Sequence, residues 1–207
     1  MARPTRAVAA IAALAIAGVG LSGCSLVTAN APVRTPSPVE ACATDATWIL
    51  DTAALNEVAS AAMHSAGLAV TVTVEGSQTL EWDADDTMRL DTDLAFHGVM
   101  DANAAPGFEE VYAVKGTSGG VATFSGDTAV PRRWSEDLAT SVTSTQDGSD
   151  AEPKWAWPFP LWINDTVGLE VQCSADRMTI AGRGTHLTWT FTREGATPAP
   201  TATPTAG

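Results

Sequence analysis

The stretch that decides the fold begins Val70-Thr71-Val72-Thr73-Val74. It continues through Leu80-Glu81-Trp82 and, across Asp83-Ala84-Asp85-Asp86, into Met88-Arg89-Leu90. Apolar side chains recur here at every second position, the period of a strand with one face in the core and one in water. Glu75-Gly76 and the acidic tetrapeptide at 83–86 carry turn chemistry, so the stretch reads as short strands joined by turns.

The same alternation returns downstream. Strands are expected around 95–100, 110–114, 121–124 and 139–145, then over Val167/Leu169/Val171/Cys173, Met178/Ile180 and Leu187/Trp189/Phe191. Upstream, the period changes to that of a helix. Leu55, Val58, Ala59, Ala62 and Met63 follow the i, i+3, i+4, i+7, i+8 pattern, Asp51 or Thr52 can cap the start, and Gly67 can end it. One helix at about 52–66 followed by many alternating strands predicts an α+β, mainly β fold. Its sheet is an antiparallel meander, curled into a barrel or half-barrel with one N-terminal helix.

Outside this region the composition changes. Arg3 and Arg6 precede an uncharged run of Ala, Ile, Leu, Val and Gly from Ala7 to Gly20, and the run ends in Leu21-Ser22-Gly23-Cys24. A positive start followed by a short apolar segment is the layout of an export signal. The four residues that close it resemble the lipobox of bacterial lipoproteins. That resemblance implies cleavage after Gly23 by the lipoprotein signal peptidase and a diacylglyceryl group on the Cys24 thiol. The segments expected are a signal peptide at 1–23, a lipid-anchored flexible tether at 24–41, a folded domain at 42–194 and a Pro/Thr/Ala tail at 195–207. Pro32, Pro36 and Pro38 mark the tether as coil, and the alternating Pro, Ala and Thr of the last residues mark the tail.

Charge and cysteines narrow the function. The chain has 24 acidic and 11 basic residues, for a net charge of −13. Losing Arg3 and Arg6 with the signal peptide makes the balance more acidic still. Such a surface repels phosphate backbones, which argues against a nucleic-acid partner. Three cysteines are present. With Cys24 assigned to lipid, Cys42 and Cys173 are left in a chain bound for an oxidising compartment, and they are expected to pair. The bridge would close a loop of about 130 residues, worth roughly 4–5 kcal/mol in the chain-entropy model.

Gly116-Thr117-Ser118-Gly119-Gly120 resembles the nucleophile loop of chymotrypsin-like proteases in its glycines and serine. Thr117 stands where that loop has an acid, and His97 lies too close in sequence to serve as the base; a glycine-rich turn between strands is the simpler reading. Asp83, Asp85, Asp86, Asp91 and Asp93 form the densest acid cluster. Met88 and Leu94 occupy the positions where a calcium loop needs glycine and glutamate, so a hairpin turn followed by outward aspartates fits better. His64, His97 and His186 lack a second ligand at useful spacing, and Glu109-Glu110 has no placeable partner carboxylate. No catalytic residue, metal site or cofactor is assigned.

The unusual segment is Trp155-Ala156-Trp157-Pro158-Phe159-Pro160-Leu161-Trp162. Its prolines exclude a helix and push Trp157 and Phe159 into extended backbone. It is expected to cover an open end of the sheet. A sharper alternative makes Trp155, Trp157, Phe159 and Trp162 a lid over an apolar cavity or a surface for a ligand. The function expected is therefore a non-enzymatic, membrane-anchored extracytoplasmic lipoprotein that takes a hydrophobic small molecule or lipid. The competing expectation is a structural or protein-interaction lipoprotein of the cell envelope with a solid core. At the level of architecture alone, the curled sheet resembles LolA-type half-barrels, which hold lipid in a concave face.

Overall fold

The computed structural model describes residues 34–157, 163, 167–183 and 187–196. The chain enters through a short helix, α1 (Pro38–Ala43). Ser37 caps it, accepting from the Glu40 amide at 3.1 Å, while the Glu40 carboxylate accepts from the Ser37 amide at 3.1 Å. This reciprocal box needs only a hydroxyl and a carboxylate three residues apart. The tether expected to run to residue 41 therefore stops sooner. Pro38 opens a helix rather than extending a coil, because proline is favoured in a first helical turn, and Ala43 is fully buried.

Strand β1 (Ala46–Leu50) follows, a strand the sequence pattern did not reveal, and then the expected helix, α2 (Thr52–Ser65). Asp51 accepts from the Ala54 amide at 3.0 Å at the start of α2. At its end Gly67 takes φ +81, where the Gly67 amide reaches the His64 carbonyl and the Leu68 amide reaches Met63. This pair of bonds closes the helix, and the left-handed residue it requires is the one glycine tolerates. Leu55, Ala59 and Met63 form the buried stripe.

The sheet comprises β2 (Val70–Trp82), β3 (Thr87–Met100), β4 (Phe108–Ser125), β5 (Thr128–Gln146), β6 (Ser149–Asp150), β7 (Leu169–Cys173), β8 (Arg177–Gly182) and β9 (Thr188–Arg193). Neighbours run β4-β3-β2-β1-β9-β8-β7-β5, every pairing is antiparallel, and β4 pairs with β5 to complete the circuit. The meander closes as an eight-stranded barrel, with β6 a two-residue return on β5.

Several expected breaks are absent. β2 runs through Glu75-Gly76 in unbroken register with Ala95 and Leu94 of β3. Gly76 bends the strand instead of ending it: at φ +98 a side chain there would run into the Asp93 carbonyl. Gly116 does the same in β4 at φ +139, against the Asp137 carbonyl. The strands expected at 110–114 and 121–124 are one strand, and Gly116–Gly120 is neither a catalytic loop nor a turn but the middle of β4. Glycine bends of this kind let a long sheet curl without losing its ladder.

At the end built by β1, β8 and β9 the barrel interior is packed, among the described residues. Trp48, Trp82, Trp189, Phe191, Leu80 and Met88 are at most 1% exposed, and the Trp82 ring stacks on Phe124 at 4.6 Å. The predicted bridge joins Cys42 of α1 to Cys173 at the end of β7, with Cα atoms 5.9 Å apart. Beside it the Arg193 guanidinium lies 4.6 Å over the Trp48 ring and donates to the Cys42 carbonyl at 2.7 Å.

Candidate functional site

The chain that leaves β6 builds the most unusual cluster in the molecule. Asp147 (φ 51) and Gly148 (φ 76) form the left-handed pair that a tight two-residue hairpin demands. The Ala151 amide then donates to the Ser144 carbonyl at 2.9 Å. After Pro153, which has no amide to continue the ladder, residues 154–157 cross the inner face of β4 and β3.

Glu110 holds them there. Alternation along β4 turns Phe108, Glu110, Tyr112 and Val114 inward, so this carboxylate is only 1% exposed. It accepts three hydrogen bonds. The Trp157 indole donates to Oε1 at 2.8 Å, and the Lys154 amide and Ser144 hydroxyl donate to Oε2, both at 3.0 Å. A buried carboxylate is tolerable only when its lone pairs are met in this way. Two of the three donors come from the crossing segment, which makes Glu110 its anchor point.

Around this anchor lie five rings. Trp157 stacks on Tyr112 with centroids 6.0 Å apart, Trp155 meets Phe108 edge-on at 5.2 Å, and Phe96 lies 6.3 Å from Trp157. The Lys154 ammonium caps the Phe108 ring at 4.0 Å. Both indoles approach Gly98 so closely that a Cβ there would sit 2.8 Å from Trp157 and 3.0 Å from Trp155. Burial pushes the Tyr112 phenol above its ordinary pKa. Trp155 and Trp157 are half-buried and pack onto the core. Phe159 and Trp162, the other members of the expected lid, lie outside the described residues, as does Cys24.

The remaining candidates are dispersed. Asp83, Asp85 and Asp86 form the β2–β3 hairpin, where the Asp83 amide donates to the Thr87 carbonyl at 2.9 Å. Hydrogen bonds from the Thr87 side chain and amide lower the Asp85 pKa. Asp91 and Asp93 point to solvent; Asp93 pairs with Lys115, whose pKa that bond raises. His97 faces Glu75 at 3.5 Å on the outer wall, and no grouping of metal-ligating side chains occurs among the described residues. An open groove of about 500 Å³ runs along the outer wall beside Arg89, Thr117, Gly119, Arg133, Ser135 and Asp137.

No protein-family model, curated protein or solved structure matches the chain. Sequence reasoning passed over Glu110 because it sought a second carboxylate. The available signal was different: Glu110 sits on the apolar parity of a strand, between Phe108 and Tyr112.

Proposed function

We propose that this chain is a membrane-anchored, non-enzymatic lipoprotein of the extracytoplasmic face whose barrel serves as an interaction module with a solid core. The observation that carries the reading is the packed interior at the end built by β1, β8 and β9, among the described residues. The rings of Trp48, Trp82, Trp189 and Phe191 occupy the space that a lipid carrier would leave open. The Cys42–Cys173 bridge supports the location, since such bonds persist in oxidising compartments, and it leaves Cys24 for lipid.

A second reading rests on the aromatic cluster. Lifting Trp155 and Trp157 off Gly98 would open a ring-lined trough for a hydrophobic small molecule or lipid. Native mass spectrometry of the protein purified from its own host separates the two. The solid-core reading expects the protein mass plus the anchor and nothing else; a reproducible co-purifying lipid would overturn it in favour of the trough. Cys24→Ala is expected to move the protein from the membrane fraction to the soluble one.

A further inference from the structure

We propose that the groove on the outer wall of β3, β4 and β5 binds a short peptide with both termini free, its carboxylate at Arg89 and Arg133 and its ammonium at Asp137. The site lies outside the barrel, so the proposal goes beyond the reading above and does not depend on what the interior holds. The groove measures about 500 Å³, within the range of small-ligand sites. Its lining comes from three neighbouring strands, around Arg89 of β3, Gly119 of β4 and Ser135 of β5.

Glycine makes the trough. Gly119 stands between Arg89 on one side and Ser135 on the other, so the middle strand adds no side chain between two that do. Only glycine fits there, because a Cβ would lie 2.8 Å from the Met88 carbonyl oxygen. The Ser135 hydroxyl reaches across to donate to the Gly119 carbonyl at 3.3 Å. One position on, residues 133 and 134 of β5 stand against the single Gly120, which makes a bulge. Arg133 takes φ +52 there, a left-handed backbone that costs stability for any residue with a Cβ and that glycine would adopt freely. Bulges re-aim side chains beside binding sites, and strained residues gather there. Arg133 lines the groove, which gives the strain a use.

Charge is sorted along the groove. The row at Thr117 carries Asp91 and Asp137, the next row, at Gly119, carries Arg89, and Arg133 follows at the bulge. Successive rows on one face of a strand are about 7 Å apart, so acid and base are separated by roughly 7–10 Å. The termini of an extended peptide of two or three residues stand about as far apart. Guanidinium groups offer a planar fork of donors that matches a carboxylate. The ion pair of Arg89 with Asp91, at 3.6 Å, leaves the arginine available: the side chains are 59% and 63% exposed, and such a pair is worth little in water. A ligand of one sign would be repelled at one end of the groove. A purely anionic one would also meet the field of a chain with net charge −13. A zwitterion of the right length meets neither penalty.

Titration of trialanine into the full-length protein, followed by the shifts of its amide resonances, tests this. Saturable shifts are expected at residues 117–121 and 133–137. N-acetyl-trialanine lacks the ammonium and trialanine amide lacks the carboxylate, and each should bind roughly tenfold more weakly. The variants should mirror the ligands. Asp137→Asn should no longer distinguish trialanine from its acetylated form, and Arg89→Gln combined with Arg133→Gly should no longer distinguish it from the amide. Arg133→Gly alone releases the left-handed backbone, so its melting temperature should rise while its affinity falls. A rise with affinity intact would mean that the arginine serves no ligand, and overturns the proposal. So does the absence of saturable shifts, their appearance elsewhere on the barrel, or blocked peptides that bind as well as the free one.

Discussion

The two ends of the sheet solve the same problem by different means. At the closed end, β1, β7, β8 and β9 are short, each of five or six residues, and the long strands meet them to complete the barrel. Backbone groups there are satisfied by neighbouring strands, and the Cys42–Cys173 bridge ties α1 to β7. Beyond Gly76 and Gly116 the sheet has outrun its partners. Pairing between β1 and β2 reaches only from Trp82 to Thr79, so the edge of β2 from Val70 to Val74 needs another source of hydrogen bonds. Side chains of α2 supply it: the Asn56 amide oxygen accepts from the Val74 amide at 2.6 Å and the Ser60 hydroxyl from the Val72 amide at 2.9 Å. The inner face is covered by Trp155 and Trp157, held by Glu110. The closed end is thus stabilised by backbone ladders and a covalent bond, the far end by a handful of polar side chains whose loss can be felt singly.

That contrast can be broken at either end. Cys173→Ser should have the largest effect, a loss of about 4–5 kcal/mol of unfolding free energy, from release of the long covalent loop. Urea titration would read it as a lower midpoint, and a loss under about 1 kcal/mol would mean that the closed end owes little to the bridge. Glu110→Ala should cost about 3 kcal/mol, because it removes the shared acceptor of the Trp157 indole, the Lys154 amide and the Ser144 hydroxyl. Its Trp fluorescence should shift red as the crossing segment lifts while far-ultraviolet circular dichroism stays that of the barrel. If the whole fold melts together instead, the two ends are one cooperative unit. The smallest effect is expected from Asn56→Ala, about 1–2 kcal/mol, from an unsatisfied Val74 amide. Hydrogen exchange should then quicken at residues 70–74 and remain slow in β8 and β9; equal quickening at both would erase the distinction.

How much of this could be read beforehand varies element by element. Helix α2 was legible because its signals are local: a capping aspartate, an apolar stripe and a terminal glycine within 17 residues. The disulfide followed from counting, once Cys24 was assigned. Strand β1 was missed because Ala46–Leu50 carries apolar residues on both parities, with Ile49 39% exposed beside buried Trp48 and Leu50. The Glu75-Gly76 pair was misread for a related reason. Glycine in a turn and glycine at the bend of a barrel strand look alike in a sequence, and only the partner strand distinguishes them. Of the candidate site, Trp155 and Trp157 were singled out for their company of prolines, while Glu110 was noticed and set aside.

By itself, the sequence determined the strand period, the helix with its caps and the pairing of Cys42 with Cys173, since each rests on spacing along the chain or on elimination. Tertiary structure alone decided that the meander closes and that Glu110 faces inward against a segment more than 40 residues away. The physical reason is that alternation tells which face of a strand is buried but says nothing about its neighbours. Twist, glycine bends and relative strand length set those, and they act between residues far apart in the chain.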